Sequence, residues 1–378
     1  MIALLLAACG TRPEPPAPAP AALPVPVPVQ PSTPVPVGEV AERDRPVMVK
    51  PAERDPRWAA ARCNDGTPFG YVIRRGASPT WVIHLSGGFY CDDETQLCRD
   101  RKPRLITTRP EADGGPARIK LGGVLSPDPT VNPTFATASH VDAHYCSSDL
   151  WLGDRTDRRP NTADPVGWYF SGRENVRVLF EALRDLDGLR EADPATRILV
   201  MGSSAGGIGL VGNLDAVVAA LPHAVSDGRV KVLIDGGWVP DVPPFVAGAL
   251  PDVDRWGPVL PACDRDLRAA DVDPARCVEG SRWWPYAARL GIPVLVQISG
   301  LDTSQTPAFG IDTAAEAAAW RDQVRASLAG VPRVFSGGLP YHVIGADDAG
   351  LDLGPPGSTF REVLDRFWAG GPPERVIF

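Results

Sequence analysis

Residues 197–217 read RILVMGSSAGGIGLVGNLDAV. An apolar run over 198–201 stops at two adjacent serines, Ser203 and Ser204, set among small residues, and apolar residues then resume at helical spacing. A serine in the pattern G-x-S-x-G, between a strand and a helix, sits on a sharp turn that exposes its hydroxyl oxygen as a nucleophile. The pattern fixes Gly202, Ser204 and Gly206, so Ser204 is the candidate nucleophile and Ser203 the variable residue before it. A serine hydroxyl is a weak nucleophile alone. It needs a base to take its proton, an acid to orient that base, and donors for the oxyanion that forms.

The chain supplies a candidate for each role. With the order serine, acid, histidine, the base is His342 in GGLPYHVIG, which follows a late apolar run. His223 lies too close to the serine, in LPHAV, where it caps a helix end or faces solvent; His84, His140 and His144 precede the serine. Two acids compete. Asp302 follows IPVLVQISG, the penultimate strand-like run, where a triad acid belongs, and Asp235 follows VKVLI one run earlier. Asp302 is favoured, and Asp235, in DGGW, is read as shaping a loop through backbone N–H groups. The oxyanion donors are the amide of Ala205, next to the nucleophile, and those of Gly88 and Phe89 in HLSGGFYC. There Gly87 and Gly88 let backbone approach a ligand closely.

These residues need a scaffold of alternating elements. Apolar runs at 79–88, 140–146, 196–204, 230–237, 292–300 and 332–338 read as strands, several apolar at successive positions as in strands covered on both faces. Between them, 171–186 places Val176, Leu179, Phe180 and Leu183 on one helical face, and 208–221 and 314–330 are further helical patterns. The expected fold is α/β, a mostly parallel central sheet with helices on both faces.

The rest of the chain bounds the setting. A formal net charge of −8 and no basic run longer than RDRRP argue against a nucleic-acid partner. The start, MIALLLAACG, is too short to span a bilayer, and LAAC resembles a bacterial lipobox. Residues 1–9 are therefore expected to be a lipoprotein signal, with Cys9 the lipidated residue and the only membrane contact. A proline-rich stretch follows; it cannot build a core and reads as a semi-rigid spacer over 10–56, ahead of a catalytic domain over 57–378. The other six cysteines, an even number in an exported chain, suggest three disulfides. Cys91–Cys98 and Cys263–Cys277 are short-loop pairs that leave Cys63–Cys146, but spacing alone leaves fifteen pairings open. None of the cysteines has the close paired spacing of a zinc site, and no metal or cofactor is expected.

Several blocks taken in order resemble the pectin acetylesterase/Notum family of carboxylesterases. They are CNDGTPFGYVI, LSGGFYCDDETQLCRDR, GGVLSPDPTVNPTFATASHVDAHYCSSDLWLGD, GSSAGGIGLVGNLD, DGGW and LVQISGLDTSQ, which together run from Cys63 almost to His342. The resemblance implies an α/β-hydrolase fold and a metal-free serine mechanism with Ser204, Asp302 and His342 as triad and Gly88, Phe89 and Ala205 as oxyanion donors. It also implies the pairs Cys63–Cys146 and Cys91–Cys98, whereas Cys263–Cys277 rests on spacing. Two positions depart from the family pattern: Phe89 stands where a tryptophan is usual, and Ser203 follows the animal branch where plant members tend to carry cysteine. The implied substrate is an acyl ester, expected to be acetyl on a polysaccharide such as pectin, met in a bacterial cell envelope. A long-chain acyl esterase and an inactive surface-binding module are the alternatives. Trp283 and Trp284, in SRWWPYAARL, are expected to be core rather than pocket lining.

Overall fold

The computed structural model describes residues 45–91, 98, 101–109, 121–160, 164–241, 250–257, 260–337 and 339–377. Cys9, the expected signal and most of the expected spacer lie outside them. Nine strands are described: β1 (Val47–Val49), β2 (Tyr71–Arg74), β3 (Thr80–Leu85), β4 (Ser139–Ala143), β5 (Arg197–Ser203), β6 (Val230–Asp235), β7 (Val294–Gln297), β8 (Val334–Ser336) and β9 (Arg375–Ile377). They form one sheet in the order β1-β2-β4-β3-β5-β6-β7-β8-β9. From β4 to β9 every pairing is parallel, and only β2 runs antiparallel to both its neighbours. The chain enters the sheet at Val47, inside the stretch expected to be spacer, because Val47–Val49 finds a ladder partner in β2.

Side chains alternate across a strand, so each central strand feeds two cores. Ile83, Ile198, Val200, Val232 and Ile234 pack into one, with helices α1 (Gly172–Asp185), α2 (Ala205–Gly212) and α3 (Ala314–Ser327). Val82, Leu199, Met201, Leu233 and Leu295 pack into the other, with Phe360, Val363, Leu364 and Phe367 of α4 (Phe360–Ala369). In α1 the expected face, Val176, Leu179, Phe180 and Leu183, is fully buried. The pattern read as one helix over 208–221 breaks at Asn213, whose Nδ2 donates to the carbonyls of Trp151 and Gly209. Four glycines in α2 make that break cheap.

The structure joins Cys63 to Cys146, Cys91 to Cys98 and Cys263 to Cys277. The first closes the longest loop, with a sequence separation of 83. A Cys63→Ser/Cys146→Ser variant is expected to lose about 2–5 kcal/mol of stability, chiefly by freeing the unfolded chain. Urea unfolding followed by far-UV circular dichroism measures it; an unshifted midpoint would contradict the expectation.

Trp283 is buried and meets Trp238 edge-on at 4.9 Å, and Trp284 is partly buried with its indole N–H on the Gly330 carbonyl. Among the described residues no helix is long and apolar enough to cross a membrane.

Candidate active site

All the candidate groups lie at the carboxyl ends of the central strands, where open α/β sheets place their ligand crevices. β5 ends at Ser203, α2 begins at Ala205, and Ser204 between them has φ 56° and ψ −123°. That left-handed conformation is rare for a residue with a Cβ, and it is the strain of a sharp strand-to-helix turn. Packing explains the flanking glycines. A Cβ on Gly202 would lie 2.2 Å from the Gly206 carbonyl oxygen, and one on Gly206 would lie 1.9 Å from that of Leu85. The turn is closed by the Ser204 N–H, which donates to the Asp235 carbonyl at 2.8 Å.

The loop after β3 leans directly on this turn: a Cβ on Gly87 would sit 2.7 Å from that of Ser204. Phe89 follows with φ 57°. The Gly88 carbonyl accepts from Arg101 Nη1 at 2.6 Å, and the described peptides are trans, so the N–H of Phe89 points away from Arg101. As the first residue of α2, Ala205 has an N–H with no acceptor inside the helix. Phe89, Ser204, Ala205 and His342 line one cavity.

His342 and Asp302 meet. The ring Nδ1 lies 2.8 Å from Asp302 Oδ2, while Asp302 Oδ1 accepts the N–H groups of Ser304 at 2.9 Å and Gln305 at 2.8 Å. Asp302 is wholly buried and His342 partly exposed, which suits an orienting acid behind a working base. The cavity before them encloses about 70 Å³, and its wall includes Tyr90, Leu150, Ile208, Val239, Leu250 and Phe309. Neither Trp283 nor Trp284 lines it. Among the described residues no group of three or more His, Cys, Asp or Glu side chains could hold a metal ion.

A second constellation lies beneath the turn, and chain order alone passes over it. His84 Nδ1 is 2.7 Å from Asp142 Oδ1, which also accepts from Ser86 Oγ, and His84 Nε2 is 3.0 Å from Ser203 Oγ. Ser203 Oγ in turn donates to Asp235 Oδ2 at 2.9 Å. The Asp235 carboxylate accepts the N–H groups of Ile344 and Gly345, so it does bond loop amides, and the loop is the one that carries His342. His223, by contrast, stands apart: its exposed ring bonds the buried carboxylate of Glu191.

A family model described as Pectinacetylesterase matches residues 48–249. The palmitoleoyl-protein carboxylesterase NOTUM of Drosophila melanogaster is 33% identical over 236 residues, 59% of this chain and 34% of that protein. The human protein of that name is 34% identical over 184 residues, 47% of this chain and 34% of that one. The chain thus spans about a third of the length of these curated relatives. Among solved structures, the Wnt deacylase Notum from Drosophila superposes with a TM-score of 0.69 at 28% identity, covering 84% of this chain and 93% of that one.

Proposed function

The chain belongs to the pectinacetylesterase family, and from that footing we propose that it is a serine carboxylesterase that cleaves short acyl esters outside the cytoplasm. The observation that carries the reading is that Ser204 and His342 line one cavity while Asp302 bonds Nδ1 of His342. With Nδ1–H donated to Asp302, Nε2 is free to take the Ser204 proton. The serine oxygen then attacks the ester carbonyl, and the N–H groups of Gly88, Phe89 and Ala205 receive the oxyanion. His342 returns the proton to the leaving alcohol, and water, deprotonated by the same nitrogen, hydrolyses the acyl-enzyme.

Cavity size supports a small acyl group. At about 70 Å³ the cavity lies well below the roughly 300–1,000 Å³ of pockets that take drug-sized ligands, which supports an acetyl or butyryl group over a sixteen-carbon chain. Acetyl esters of an extracellular polysaccharide such as pectin fit that limit. Three disulfides support an oxidising compartment, in keeping with lipid attachment at Cys9 to a bacterial envelope. The apolar cavity wall favours one second reading, a longer acyl chain like that in the names of the NOTUM relatives.

The test is a series of p-nitrophenyl esters from acetyl to palmitoyl. Turnover is expected to be highest at two to four carbons and to fall by about 10-fold or more by eight, as the extra methylenes find no room. A maximum at long chains would replace the first reading with the second. Absence of turnover throughout, together with no labelling by a fluorophosphonate, would favour a surface-binding module.

A further inference from the structure

We infer that Asp235 is a positioning residue, which sets the separation of nucleophile and base and is itself braced by the buried chain Asp142–His84–Ser203. The inference rests on the reading of Ser204 and His342 as nucleophile and base.

Asp235 bonds both catalytic segments at once. Its main-chain carbonyl accepts the N–H of Ser204 itself at 2.8 Å. Its carboxylate accepts the N–H groups of Ile344 at 3.1 Å and Gly345 at 3.0 Å, two and three residues beyond His342. The next residue closes the same gap, since a Cβ on Gly236 would lie 2.6 Å from the His342 carbonyl oxygen. One residue at the end of β6 therefore fixes where the serine turn and the histidine loop stand relative to each other. Asp235 is wholly buried, and burial pushes its carboxyl above the usual range. A buried acid is costly unless its bonds are complete.

Proton counting shows why the four side chains act as a unit. The Ser203 hydroxyl has one proton and two partners, His84 Nε2 at 3.0 Å and Asp235 Oδ2 at 2.9 Å. Both contacts are hydrogen bonds only if one further proton resides on Nε2 or on Asp235. Loss of any member leaves a buried polar atom without a partner, and the neighbours must shift to recover one. The set has the composition of a catalytic triad, but Ser203, His84 and Asp142 are all buried under the turn. It acts as a strut.

The experiment compares Asp235→Asn and Ser203→Ala with the unaltered chain in p-nitrophenyl acetate hydrolysis, with active sites titrated by a fluorophosphonate. Asn at 235 keeps one acceptor but turns an NH2 group toward an N–H or the Ser203 hydroxyl. The expected result is a kcat per titrated site lower by about 10- to 100-fold, the scale of a misplacement near 1 Å, with KM within about twofold. Ser203→Ala leaves both loop bonds, so the expected loss is about three- to tenfold, the worth of one hydrogen bond. If Asp235→Asn fails to fold, the Ser203→Ala result decides alone. An unchanged kcat per titrated site overturns the inference, including the case where only the titratable fraction falls, because a merely structural role would lower that fraction and leave the surviving sites intact. Ser204→Ala run alongside separates the two levels: if it still turns over substrate, the assignment of the nucleophile is what has failed.

Discussion

Ser204→Ala is expected to reduce hydrolysis of p-nitrophenyl acetate by at least about a thousandfold, and by up to ~10⁶, the range set by removing the nucleophile from a serine triad. The neighbouring hydroxyl cannot take over. Ser203 points under the turn, where His84 and Asp235 already engage its oxygen, whereas Ser204 lines the cavity beside His342. The strained φ of 56° at Ser204 exists only because Gly202, Gly206 and Gly87 make room for it. Alanine fits the same backbone, so the variant should keep its melting temperature while losing activity. A fluorophosphonate adduct located by peptide mass spectrometry gives an independent reading. The label should fall on Ser204 in the parent chain and on neither serine in the variant. Activity above a tenth of the parent's would sink the assignment.

Asp302→Asn is expected to cost about 10³–10⁴ in kcat with little loss of stability, through the tautomer of His342. Two backbone N–H groups, from Ser304 and Gln305, point at Oδ1, so the amide oxygen of asparagine is held at that position. Its NH2 then faces the histidine Nδ1, 2.8 Å away in the parent. Two donors cannot share that contact, so Nδ1 becomes the acceptor and the ring proton moves to Nε2. That nitrogen can no longer take the proton from Ser204. Rates measured from pH 6 to pH 10, together with thermal melting, check the expectation. A variant within tenfold of the parent would show that some other acid orients the ring.

How far the sequence could be read depended on whether a feature was local. β3, β5, β6 and β7 are apolar runs long enough to announce themselves, and the order Ser204, Asp302, His342 follows from strand ends. The helix Phe360–Ala369 is equally legible in its residues. Thr359 and Glu362 form a capping box there, ahead of Phe360, Val363, Leu364 and Phe367 at helical spacing. β1 was hidden by its length, three residues at the end of a proline-rich stretch whose strand character depends on a partner, β2, some twenty residues later. The buried strut was out of reach altogether. His84 is 58 residues from Asp142 and 119 from Ser203, and only the parallel registers of β3 with β4 and β5 bring the three together. Chain order, the rule that points to His342, is also the rule that leaves His84 out.

The bridge between Cys91 and Cys98 has a different bearing from the one that closes the long loop. Cys91 comes two residues after Phe89 and is bonded through its N–H to the Ser148 carbonyl, and Arg101, just past Cys98, reaches back to Gly88. The covalent tie therefore secures the segment that carries Gly88 and Phe89, the proposed oxyanion donors, while Cys63–Cys146 secures the body of the fold. Durability and competence have separate fastenings in this protein. On the proposed mechanism, opening the small ring alone is expected to lower turnover of p-nitrophenyl acetate while far-UV circular dichroism stays unchanged.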